Sequence, residues 1–83
     1  MKATLYDYTC DERHVDQLHN CNEGDAIRWA FDRCRLSWNA TDFTCAMVLE
    51  VKRATMQGAE MPFFHILAVY EGNLQKYDLV LDL

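Results

Sequence analysis

Glycine and proline are scarce in this chain, three and one respectively among 83 residues. That scarcity excludes collagen-like, linker-like and other low-complexity character, and with 51% hydrophobic residues the chain reads as a packed globular domain. No apolar run approaches the ~18 residues that a membrane-spanning helix needs. The opening MKATLYDY lacks the apolar segment of a signal peptide, so the expected compartment is the cytoplasm, with the cysteines reduced. Gly24, Gly58 and Gly72 stand alone, which leaves no phosphate-cradling loop. No pair of carboxylates stands out from the scattered acids, and nothing flanks a cysteine or histidine so as to activate a nucleophile. No reaction and no cofactor are signalled, and the expectation is a protein that is not an enzyme.

Residues 1–83 make one domain, near the lower end of what folds alone, with about 3–5 kcal/mol of net stability from a core of that size. The net charge of −5 is unevenly spread. Asp7, Asp11, Glu12, Asp16, Glu23 and Asp25 outweigh Lys2 and Arg13, so residues 1–25 carry −4; residues 26–54 carry +2 and residues 55–83 carry −3. Phosphate contacts supply most nucleic-acid affinity, so an acidic chain is not expected to bind nucleic acid directly. It suits a partner with a basic surface, towards which its charge would steer it.

ATLYDY (3–8) alternates and is rich in β-formers, which predicts a short first strand. Thr9 stands three residues before Glu12, the spacing of a capping box, and predicts a short helix over about 10–20 with Val15 and Leu18 as its apolar contribution. Asn22 or Gly24 opens a second helix, with Glu23 and Asp25 complementing its dipole and Arg33 and Arg35 in its later turns. Its core face is read from Ile27, Ala30, Phe31, Cys34 and Trp38, at i, i+3, i+4, i+7 and i+11. From Phe43 the period becomes two, with Phe43, Cys45, Met47, Leu49 and Val51 on one face. Gln57-Gly58 lies in the next connection. Met61 to Tyr70 predicts a nearly continuous apolar strand, Glu71-Gly72-Asn73 a tight turn, and Tyr77, Leu79, Leu81 and Leu83 one face of a last strand. The expected fold is α+β, in the order β-α-α-β-β-β. Its last three strands form an antiparallel meander with the main helix packed on one face.

CDERHVDQLHNC (10–21) is the stretch richest in potential metal ligands. Cys10, His14, His19 and Cys21 are all possible zinc donors, and on a helix Cys10 and His14 fall at i and i+4. His19 lies off that face, however, and at ~1.5 Å rise Cys21 would be about 16 Å from Cys10. The preferred reading is a solvated acidic helix with no metal; a small zinc module remains the alternative. A Cys10–Cys21 disulfide would need Cα atoms within about 7 Å, hence a loop. His65, in FFHILAVY, reads as a satisfied sheet residue, with a Cys45–His65 pair as the catalytic alternative.

On the main helix, Trp29 and Leu36 fall within about 20° of one another, opposite Ile27, with Arg33 beside them. A tryptophan, a leucine and an arginine together have the composition of an interface hot spot. The expected partner-binding set is therefore Asp11, Glu12, Asp16, Trp29, Arg33 and Leu36. If the first helix or the N-terminal strand covers Trp29 it is ordinary core, and a homodimer competes with a foreign partner.

In size and element order, with GDAIRWAFDRCRLSW as the helix and FTCAMVLEVK, FFHILAVY and LQKYDLVLDL as the meander, the chain resembles the small phage-encoded inhibitors of bacterial defence, the anti-CRISPR type of protein. The acidic CDERHVDQLHNCNEGD suits that class. The resemblance implies a non-enzymatic inhibitor, acting by tight binding at a basic nucleic-acid site of its target in the host cytoplasm.

Overall fold

The computed structural model describes residues 1–39, 41–55 and 61–82. Its elements run β1 (Lys2–Asp7), β2 (Arg13–Leu18), α1 (Glu23–Cys34), β3 (Leu36–Ser37), β4 (Ala46–Thr55), β5 (Pro62–Tyr70) and β6 (Asn73–Asp82). Among the described residues the fold is α+β, with one helix and a mixed, curled six-stranded sheet of order β2-β1-β6-β5-β4-β3. The expected meander is present as β4, β5 and β6, all antiparallel. Glu71 and Gly72 both adopt positive φ (51° and 79°), the backbone of a two-residue turn whose twist matches the flanking strands. The first strand joins this meander through β6, and β3 adds a short parallel pair to β4.

The helix is where its caps put it. The Asn22 side chain accepts the Asp25 N–H at 2.8 Å, satisfying one of the orphan donors of the first turn. At the other end Arg35 turns left-handed (φ 53°) and closes on the carbonyls of Asp32 and Phe31. α1 therefore stops at Cys34 and does not run on to Trp38. Its buried line is Ala26 and Ala30, both fully enclosed, with Ile27, Trp29, Phe31 and Cys34 half-buried around them. Two alanines one turn apart let the helix lie close over Leu5, Ile66, Leu79 and Leu81, the largest fully buried side chains.

Two expectations are corrected, and one cause serves both. The segment expected to be a helix over 10–20 is strand β2, and no capping box forms at Thr9. Its N–H donates to Asp7 Oδ1 (2.8 Å), and its hydroxyl accepts from Lys76 N–H (3.2 Å), extending the β1–β6 ladder. Between Leu5 and Tyr6 the register to β2 shifts, so Tyr6 faces His14 while Leu5 faces Asp16, and Val15 is the inserted residue. A bulge of this kind moves the strand's apolar positions from a spacing of two to a spacing of three. Val15 and Leu18 thus imitate a helix. In β4 a second shift, between Val48 and Glu50, does the same. Ala46 and Val48 are buried, Val51 is half-buried against the core, and Leu49 at the bulge is 51% exposed. Phe43 and Cys45 precede the strand and Met47 lies on its other side, so the expected face from Phe43 to Val51 holds only at Val51. On β6 the expected face holds at Tyr77, Leu79 and Leu81. Leu83 and the Gln57-Gly58 connection lie outside the described residues.

This packing predicts opposite outcomes for two leucines in equilibrium denaturation. Leu79→Ala, in the closed core, should cost about 2–5 kcal/mol, comparable with the whole stability of a chain this size, and leave it largely unfolded by circular dichroism at 25 °C. Leu49→Ala should change the denaturation midpoint by less than about 0.5 kcal/mol equivalent. A large loss at Leu49 would mean that the bulge is misplaced.

Candidate functional site

The residues expected to bind a partner do not come together. Asp11 and Glu12 are exposed in the β1–β2 turn. Asp16 and Arg33 form an ion pair between β2 and α1 (3.2 Å), so each neutralises the other. The Asp16 carboxyl is held below its ordinary value, first by the Gln17 N–H and then by Arg33. Trp29 is half-buried against the core, and Leu36 is not on the helix at all: it pairs with Ala46 in β3 and is 7% exposed. The Trp29–Leu36 face is therefore a correction. It required a helix two residues longer than the left-handed cap at Arg35 allows.

What the shorter helix exposes instead is Trp38, 61% accessible, whose ring lies 6.0 Å from that of Phe31. The two aromatics belong to a groove of about 520 Å³ between α1 and β4, floored by Ile27, Leu36 and Val51 and rimmed by Arg28 and Asp32. Phe43, 88% exposed, lies in the connection that follows. The sequence does contain Trp38, but its spacing to Ile27 continues the helical period, and a non-glycine cap gives no warning that the period has ended.

The four potential zinc ligands are separated by β2. Cys10 precedes the strand and Cys21 follows it, so at ~3.3 Å per residue its six residues alone hold them roughly 20 Å apart. His14 packs edge-on against Tyr6, His19 is exposed beyond the strand, and the Cys21 thiol points at the Met1 carbonyl (3.3 Å). Among the described residues no group of three or more His, Cys, Asp or Glu could hold a metal ion. The four cysteines are free thiols.

The second concave region lies on the face of the sheet away from the helix, a groove of about 680 Å³. His65 is at its centre, in register with Lys52 on one side and Asp78 on the other. It is not opposite Cys45, which removes the Cys–His pairing. The His65 Nδ1 meets Asp78 Oδ1. Burial raises the Asp78 carboxyl above its ordinary value of 3.8, while His65 pulls it down by less. Tyr8, close to Glu12 at the hairpin end of this groove, has its phenol raised by burial and then by that carboxylate. In chemical terms the groove offers a histidine–carboxylate pair with a lysine beside it, and among its lining residues no serine, threonine or cysteine stands by as a nucleophile.

Two expected outcomes follow from these environments. The native fold holds the Asp78 proton more tightly than the unfolded chain does. The stability from this group is therefore fully present below pH 3.8 and is lost as the pH rises through the raised value. Asp78→Asn abolishes that dependence, so in thermal melts the Tm difference, variant minus wild type, should be more positive at pH 7 than at pH 3. Separately, burial pushes the Cys34 thiol up to about 11, so little of the reactive thiolate is present at neutral pH. In timed alkylation at pH 7.5 read by peptide mass spectrometry, exposed Cys10 should label well before Cys34; equal rates would contradict the packing of α1 on the sheet. A scan against protein-family models, a search of curated proteins and a search of solved structures give no match to this chain.

Proposed function

We propose that this protein acts in the cytoplasm by binding a protein partner, without catalysis, in the manner of an anti-CRISPR-type inhibitor that covers a basic nucleic-acid site on its target. The observation that carries the reading is Trp38, a large aromatic held outside the core against Phe31, over a groove with apolar walls and a charged rim. Tryptophan in such a setting has the character of an interface anchor, because it removes a large area from water while ordering few torsions. The anchor replaces the Trp29–Leu36 face, and Arg28 takes the flanking position expected of Arg33.

Charge has a separate part in this reading. Asp11 and Glu12 stand at the β1–β2 turn, by the β2 edge, whereas Trp38 stands by β3 at the opposite edge. Steering and anchoring are thus properties of different ends of the molecule. With a net charge of −5 the chain is drawn towards a basic surface, and the aromatic groove sets how long it stays.

The test is a plaque assay in bacteria whose RNA-guided defence targets the infecting phage, with the chain expressed beforehand. Wild type should restore plaquing, and Trp38→Ala should lose that effect while melting like wild type. Failure to restore plaquing against each class of guided nuclease would remove the inhibitor reading. With a target in hand, Asp11→Lys and Glu12→Lys together should slow association at low salt and have little effect above about 0.5 M salt, where charges are screened within a few ångströms.

A further inference from the structure

The face of the sheet away from α1 has a side-chain pattern that complements itself. The pairing registers arrange it as four successive rows running across β6, β5 and β4. The first row is Val80, Phe63 and Ala54, and the last is Leu74, Val69 and Met47, both apolar. Between them lie a row of Asp78, His65 and Lys52 and a row of Lys76, Leu67 and Glu50. The charges of the two inner rows alternate in sign like a chequerboard: acid then base across one row, base then acid across the next. β1 widens the face, with Thr4 beside Val80 and Tyr6 beside Asp78. Most of the apolar members are half-buried, Leu74 is 47% exposed, and no described element packs over them.

We propose that this face is the interface of a homodimer, in which two copies pack sheet against sheet with their helices outermost. A two-fold axis along β5 lays each copy's β4 over the other's β6. Lys52 then meets Asp78 of the second copy, Glu50 meets Lys76, Ala54 meets Val80 and Met47 meets Leu74. An axis across the strands, between the two charged rows, exchanges those rows and sets Glu50 on Lys52 of the second copy and Asp78 on Lys76. Both arrangements put apolar rows on apolar rows and set Glu50, Lys52, Lys76 and Asp78 each on an opposite charge, while the axis along β5 also lays His65 on His65 of the second copy. A foreign surface would have to match this pattern by its own evolution, whereas a second copy of this chain matches it by symmetry. Glu50, Lys52 and Lys76 have no ion-pair partner among the described residues, while Asp78 already meets His65 of its own sheet and would share its carboxylate with the second copy.

The dimensions suit a modest dimer. Three strands ~4.8 Å apart where the axis runs along β5, or four with β1 where it crosses the strands, and four rows ~6.7 Å apart give a footprint of about 14–19 by 27 Å, on the order of 400–500 Å² per copy, at the low end of specific interfaces. The groove around His65 would be filled by side chains of the second copy. This interface lies away from the Trp38 groove, so it stands or falls independently of the function proposed above.

The experiment is sedimentation velocity, with native mass spectrometry, on the full chain over a concentration series. Wild type should dimerise reversibly. Glu50→Lys places like charges together twice and should weaken the dimer by at least about tenfold, with an unchanged circular dichroism spectrum. Lys76→Glu and Lys52→Glu are prepared in the same way. Equimolar Glu50→Lys and Lys76→Glu should form a heterodimer if the axis runs along β5. If the axis crosses the strands, Lys52→Glu should do so instead, because every facing pair is then again of opposite sign. Either rescue supports the interface and fixes its axis. A wild-type monomer up to millimolar concentration, an unaffected Glu50→Lys dimer, or rescue by neither mixture overturns it.

Discussion

One helix of twelve residues has to serve a sheet of six strands, and it can lie on only one face of it. Much of the molecule follows from that shortage. The covered face must close tightly on a slender helix, so α1 contributes Ala26 and Ala30 at its line of contact while the sheet supplies the bulk through Leu5, Ile66, Leu79 and Leu81. The uncovered face cannot be made wholly polar without weakening strands whose propensity depends on β-branched and aromatic residues. It carries instead a compromise of half-buried apolar side chains with ordered charges between them.

The same shortage shapes the flanks. Between β2 and β3 the chain must pass from one edge of the sheet to the other, and α1 is the whole of that passage. A helix that must end above the far edge stops at Cys34, with Arg35 left-handed, and drops at once into β3. The abrupt ending sends Leu36 inward and Trp38 outward. The aromatic groove is thus a product of how the crossover ends.

Much of this was legible in the residues, and the exceptions share a physical form. The meander, the Glu71-Gly72 turn, the Asn22 cap and the buried face of β6 all rest on local rules that the chain obeys. β2 was hidden because a bulge spaces Val15 and Leu18 like a helix, and β4 was read one residue out of phase because a second bulge falls at Leu49. A bulge depends on the neighbouring strand, so single-chain periodicity cannot contain it. The pairing of β1 with β6 is equally invisible, since it joins residues at opposite ends of the sequence. Among the site residues, Asp11 and Glu12 are exposed where the reading needed them, and Asp16 and Arg33 are spent on each other. Trp29 and Leu36 failed together because both depended on where the helix ends. The charged rows around His65 were out of reach for a different reason. His65, Asp78 and Lys52 are far apart in sequence, and only the register makes them a row.

The place of β1 between β2 and β6 also constrains how the sheet can assemble. Lys2 pairs with Asp82 and Asp7 with Tyr77, so the strand that opens the sequence finds its inner neighbour in the element that closes it. Contacts spanning almost the whole chain are expensive in loop entropy, and they slow folding relative to hairpins such as β5–β6. During synthesis the β1–β2 hairpin must wait, with one edge unpaired, until β6 has left the ribosome. The seam between β1 and β6 is the longest-range strand pairing in the sheet, and it cannot close before β6 is made.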